Sequence, residues 1–208
     1  PPVLSRESIR TLHAPVIEIT GLYGIVADAY GLGHFLETLP TGQRAVWHGG
    51  QGHGWMAHFH AVPKTGDGIV ILTNSERSWP FMAHVLTDWA QWAGFEAVKM
   101  DRITDATNVL WALVGLIGLA SLWHGGRLVR GLRKNTRRWA PRSKAARTVR
   151  LLQATLGLGI LAALAWGAAQ PYLMVASIFP HVIDWAGGVL LLSAFLLLAS
   201  ALFPQTDE

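Results

Sequence analysis

The chain has no cysteine, so neither a disulfide framework nor a thiolate nucleophile is available to it. Charge is scarce as well: Asp, Glu, Lys and Arg make up 14% of the 208 residues, too few for an ordinary soluble domain of this length. Acids are the rarer sign, 13 against 17 Lys and Arg, which leaves a net charge of +4. With a pI near 9.9, a basic excess spread over a folded surface would suit nucleic acid. It is not spread. Ten of the 17 cations fall within 125–150, between two apolar runs, so the reading is membrane topology with no nucleic-acid partner. No signal peptide is visible and no methionine opens the chain, so its natural start is expected upstream of Pro1.

What is abundant is apolar sequence, and it is unevenly placed. Mean hydropathy is +0.31, yet residues 1–105 hold a normal mix of charges and 106–208 do not. Three stretches lack charge or nearly so and are long enough to span a bilayer: 106–123, 151–173 and 185–202. Eighteen residues of helix reach about 27 Å, enough for a thin hydrocarbon core. Between the first two lies a stretch, 125–150, with Arg127, Arg130, Arg133, Lys134, Arg137, Arg138, Arg142, Lys144, Arg147, Arg150 and no acid. The positive-inside rule makes that loop cytoplasmic and places 1–105 outside the cell membrane, in a multi-pass chain. Trp123 and Trp185 sit at span ends, where an interfacial belt belongs, and a short loop is expected near Pro180 and His181. Gln153 and Gln170 are the strongly polar side chains well within the spans, and interhelical hydrogen bonding or snorkelling to the interface is their expected role.

The first hundred residues read as α+β. Ser5 is placed to cap a helix that Pro15 stops. Strands are expected at 30–37 and 43–48, then a glycine-rich turn over 49–54, then a hairpin of 55–62 and 68–73 across Pro63-Lys64-Thr65-Gly66-Asp67. Phe81, Val85, Trp89 and Trp92 fall at helical spacing, predicting an amphipathic helix over 80–92 that packs on the sheet. At least four antiparallel strands flanked by few helices would leave one sheet face uncovered.

Five pieces in this segment occur in a telling order: Tyr30-Gly31-Leu32-Gly33, Trp47-His48-Gly49-Gly50, Gly52-His53-Gly54-Trp55, Pro63, and Gly68-Ile69-Val70-Ile71-Leu72-Thr73-Asn74. In order and spacing, over roughly 3–95, they resemble the C-terminal part of the class C β-lactamase and penicillin-binding-protein family of serine hydrolases. The resemblance implies a partial β-lactamase/transpeptidase-like α+β fold followed by an all-α transmembrane segment of three helices. It also implies acyl-enzyme chemistry on D-amino-acid peptides, esters, amides or β-lactams. A serine attacks the acyl carbon, and the substrate lies along an edge strand as an added β-strand. In that frame His48 takes the place of the lysine in the family's Lys-Thr-Gly triad. Gly49 and Gly50 let substrate approach the backbone, and the backbone N–H of Gln51 is an oxyanion donor.

The literal Lys64-Thr65-Gly66 is a decoy, because it stands where a turn between strands is needed. His58 and His60 share one strand face and invite a metal, but no Asp, Glu or Cys is placed beside them, so neither metal nor cofactor is expected. Hydrogen-bonded or exposed strand histidines are expected instead. No serine has a lysine three residues on, and no tyrosine is followed by Asn at the second position. The family's two remaining motifs are therefore missing. The chain alone is expected to be inactive, with small-molecule or peptide substrate met only in the parent. The alternative is a non-catalytic membrane protein that uses the hydrolase-like fold for cell-wall peptide binding or assembly.

Overall fold

The computed structural model describes residues 3–143, 145–170 and 174–205, with all side chains of these but that of Leu22. The 171–173 end of the second predicted span, Lys144, and the tail 206–208 lie outside the described residues. The chain divides into two units, one of Pro1–Thr107 with Ser177–Phe179 and one of Asn108–Ala176 with Pro180–Glu208.

The first unit is α+β. Helix α1 (Arg6–Leu12) opens on Ser5, whose Oγ accepts from Ser8 N–H at 3.0 Å. A six-stranded antiparallel sheet follows, ordered as a meander: β1 (Ile17–Glu18), β2 (Ala29–Tyr30), β3 (Phe35–Thr38), β4 (Arg44–Gly52), β5 (Trp55–Val62) and β6 (Asp67–Thr73). Two details differ from the sequence expectation. The single strand expected over 30–37 is two, because the chain reverses through Gly31–His34: Gly31 N–H donates to His34 O at 2.8 Å and Gly33 sits at φ +82°. A side chain rarely adopts that φ. The glycine run expected as a turn over 49–54 is instead mostly strand, with β4 continuing to Gly52 and only His53-Gly54 turning. Cross-strand bonding carries glycines into a ladder when a long neighbour such as β5 is present.

One sheet face carries the core. Ala45 and Trp47 of β4, Met56 and Val62 of β5 and Ile71 of β6 pack with Met82, Ala83, Leu86, Trp89 and Ala90 of α2 (Trp79–Trp92). The buried stripe of α2 is therefore rotated from the one read in sequence. Trp89 is buried, Val85 packs at the edge, and Phe81 and Trp92 are exposed. The other face holds a small cluster of Ala29, Leu36 and Val46 against Ala61, while Val70 and Leu72 are 69% and 77% exposed.

The second unit is helical. Among the described residues three helices are long and apolar enough to cross a membrane: α3 (Arg102–Arg133), which starts in the first unit, α4 (Arg147–Ala168) and α6 (Pro180–Leu202). A short α5 (Met174–Ile178) precedes α6, so helix stands where a loop was expected near Pro180. α3 spans 32 residues, about 48 Å, well beyond a hydrocarbon core. Much of the expected loop 125–150 is therefore helix, with Arg127, Arg130 and Arg133 on its last turns and Arg147 and Arg150 on the first turns of α4. Ser121 Oγ and Ser193 Oγ share a hydrogen bond at 2.7 Å, as do His124 Nε2 and Ser200 Oγ, tying α3 to α6 through small polar groups. At Gly157 of α4 an added Cβ would lie 2.9 Å from Leu198 Cγ and 3.1 Å from Ala194 O, so only glycine permits this close approach to α6. Gln170 donates from Nε2 to Trp166 O at 3.0 Å, a bond within its own turn and not between helices.

Candidate active site

The geometry of the site follows from how β4 outruns its neighbour. The register of β3 with β4 ends at Phe35↔Trp47, whereas β4 stays paired with β5 from Val46 to Gly52. From His48 onward the ladder is with β5. The expected edge strand is thus interior in its first half and an edge only in its second.

Which backbone groups face that edge is decided by alternation. Leu39 N–H donates to Gln43 O at 2.8 Å. Bonded pairs alternate along an antiparallel ladder, so Glu37↔Ala45 and Phe35↔Trp47 are bonded pairs. Residues 45, 47, 49 and 51 therefore turn their N–H and C=O groups toward the β3 side, and 46, 48, 50 and 52 toward β5. Gly49 and Gln51 carry that direction past the end of β3.

His48 is half-buried beside this edge. Its Nε2 and the Tyr30 hydroxyl share a hydrogen bond at 3.2 Å, and its ring centroid lies 5.6 Å from that of Phe35. Tyr30 thereby orients the imidazole, a role that no periodicity announces, since the two residues are 18 apart and meet only through the β2–β3–β4 meander. Gly49 and Gly50 have ordinary negative-φ backbone. A Cβ at Gly49 would come no closer than 3.5 Å to Ala57 O, and one at Gly50 no closer than 3.6 Å to the Trp55 ring. The fold's own packing does not require glycine at either position. Gln51 is exposed, and its side-chain amide donates to Ser177 Oγ at 3.3 Å, within the same unit. Lys64 is exposed in the β5–β6 turn, away from this strand edge. Two cavities of about 250 and 370 Å³ in this unit share Glu37 and Thr38 in their lining, and none of His48, Gly49, Gly50 or Gln51 lines either.

Beneath the site lies a buried polar group that sequence placed elsewhere. His58 and His60, expected to be exposed or hydrogen-bonded, are buried at 2% and 0% exposure on the α2 side of β5. Their rings form a row of tilted contacts with Trp47 and Trp89 at centroid separations of 5.3, 5.8 and 5.5 Å. His60 Nε2 approaches Glu37 Oε1 at 3.1 Å, but neither atom has a partner at hydrogen-bonding geometry, so the contact is close and not an aligned bond. Glu37 Oε2 accepts from Lys99 N–H at 2.7 Å. Among the described residues no group of three or more His, Cys, Asp or Glu is arranged to hold a metal.

Burial pushes the pKa of His58 down to about 3, and the neighbouring His60 and His48 push it the same way. A folded pKa below the unfolded value near 6.5 means that the unfolded chain binds the proton first. Stability is then complete above about pH 6.5 and is lost as pH falls toward 3, by up to roughly 1.4 kcal/mol per pH unit. Thermal unfolding of the full chain, followed by near-ultraviolet circular dichroism from pH 7 to 4.5, is expected to show this slope. His58→Phe should flatten it. An equal slope in both proteins would assign the acid sensitivity to other groups.

No protein-family model matches this chain, and no curated protein matches it either.

Proposed function

We propose that the chain is the C-terminal, membrane-anchored part of an extracytoplasmic serine hydrolase of the β-lactamase and penicillin-binding-protein type. It acts through an acyl-enzyme on D-amino-acid peptides, small esters or amides, or β-lactams. The observation that carries this reading is the second half of β4. Gly49 turns its backbone donor and acceptor toward an edge that β3 does not reach, Gln51 follows in the same parity, and two glycines there leave room that internal packing does not need. An extended acyl substrate adds to such an edge as a strand. The Gln51 N–H then points where an oxyanion develops, and His48, held by Tyr30, binds the substrate's carboxylate or joins the nucleophile's hydrogen-bond network. The nucleophile comes from sequence outside this chain, which holds no Ser-x-x-Lys. The uncovered sheet face with Val70 and Leu72 supports a further layer of structure there. The acid-free basic stretch supports a topology with residues 1–105 outside and 125–150 in the cytoplasm.

The test is a membrane-impermeant penicillin conjugate applied to spheroplasts. The longer protein should label, on a serine outside this chain, and the 208-residue chain expressed alone should not. Labelling of any serine within the chain overturns the division of the site. Labelling that requires permeabilised membranes overturns the sidedness. A longer protein that never labels is the binding protein without chemistry.

A further inference from the structure

The second unit carries a pocket independent of the chemistry of the first. Trp123, Arg127, Arg130 and Lys134 recur at intervals of four, three and four residues, which puts them on one stripe of α3 and its continuation. After Lys134 the chain doubles back. Asn135 takes φ +57°, and the N–H groups of Thr136 and Arg137 donate to Gly131 O at 3.0 and 3.2 Å. This return lays Arg137 along α3, so close that a Cβ at Gly131 would meet its Cδ at 2.9 Å. Arg137 is held from the other side too, its guanidinium donating to Phe203 O at 2.9 Å and its backbone bridging to Gln205. The result is a cavity of about 330 Å³ lined by Trp123, the four cations Arg127, Arg130, Lys134 and Arg137, and Gln205. Among the described residues no carboxylate lines it, and none of the four cations forms an ion pair.

Four cations around one cavity repel one another, and an anion of more than one charge relieves that repulsion. The position along α3 selects the anion. With Trp123 at the membrane interface, Arg127 and Arg130 stand about 6 and 10 Å further along the helix axis. Arg127 thus falls within the headgroup layer, which adds roughly 5–8 Å to each side of the hydrocarbon core. The long side chain of Arg130, tilted toward the helix N-terminus, reaches back to it. Arg127 already lies over the Trp123 ring at 4.9 Å, leaving its edge to a second partner. We propose that this pocket binds the phosphates of an anionic membrane lipid, with a two-phosphate headgroup favoured over a single phosphate.

The experiment uses the full chain in phosphatidylcholine nanodiscs carrying a minor fraction of diphosphatidylglycerol, with retained lipid counted by native mass spectrometry. Arg130→Gln/Lys134→Gln should retain at least about fivefold less diphosphatidylglycerol than wild type. Arg142→Gln/Arg147→Gln, which removes the same charge from the same basic stretch outside the cavity, should stay within about twofold. Arg130 and Lys134 are exposed, with no side-chain hydrogen bond among the described residues, so folding is preserved; circular dichroism confirms it, and Arg127→Gln provides a second variant. Equal losses in both double variants would mean that only net charge matters and would overturn the pocket. Wild type retaining no more diphosphatidylglycerol than phosphatidylcholine would overturn it as well. In a lipid-free detergent arm, pyrophosphate uptake that depends on Arg130 and Lys134, without diphosphatidylglycerol retention, would make the ligand a soluble phosphate and sink the lipid assignment.

Discussion

Trp47→Ala is expected to cost the first unit about 3–5 kcal/mol, the range for deleting a large buried aromatic side chain. Trp47 is 2% exposed on the core face of β4, stacked on Phe35 at 4.4 Å and packed 5.3 Å from the His58 ring. Neighbours in strands on both sides hold the backbone there, so the hole left by the indole has little room to collapse. The measurement is hydrogen–deuterium exchange of the β4–β6 amides in the full chain, which reports the opening free energy of those strands. Trp92→Ala is the control: Trp92 is 83% exposed at the end of α2, and its change should stay within about 0.5 kcal/mol. If both variants exchange alike, the core does not rest on Trp47.

His48→Ala is expected to lower kcat/KM of the proposed full-length hydrolase by roughly ten- to a thousandfold, about 1.4–4 kcal/mol of transition-state stabilisation. His48 lies beside the open half of β4 with Nε2 fixed by Tyr30 at 3.2 Å, so its loss removes a positioned polar group at the reacting end of the substrate. Lys64→Ala should change kcat/KM by less than about threefold, since Lys64 is exposed in the β5–β6 turn and surface changes usually do little. Tyr30→Phe is the informative partner, because it keeps the ring packed on Phe35 at 4.7 Å and removes only the hydroxyl. Its effect should be in the same direction as His48→Ala and smaller. Unchanged thermal unfolding in all three keeps a folding defect from passing as chemistry. A damaging Lys64→Ala with a silent His48→Ala would move the site to the other triad.

The parts of this protein that were legible in the sequence are those governed by local pattern. The apolar lengths announce three helices able to cross a bilayer, because hydropathy and length act along one element at a time. Ser5 and Pro15 bracket α1, and β5 lies at 55–62 as its alternation and the following turn require. The basic residues were equally visible, but their fold was not. Helix continues to Arg133 because those residues favour helix as readily as loop, and charge alone does not say which.

What tertiary structure decided is everything that depends on a partner strand or helix. Glycines 49, 50 and 52 read as a turn and are strand, because pairing with β5 supplies bonds that outweigh their weak local preference. The buried face of α2 is the one that meets the sheet, Met82, Leu86 and Trp89, while Phe81 and Trp92 lie on its exposed side. His58 and His60 point inward because strand parity sends them with Met56 and Val62, whatever their polarity. The hydrogen bond between Tyr30 and His48, and the cavity closed by Arg137, come from chain reversals that bring distant residues together. Composition and periodicity thus determined the two-part organisation and the kind of each element. Register, and with it which backbone groups and side chains share an edge, was set only when the strands and helices met, since each pairing is a choice among neighbours that no single segment contains.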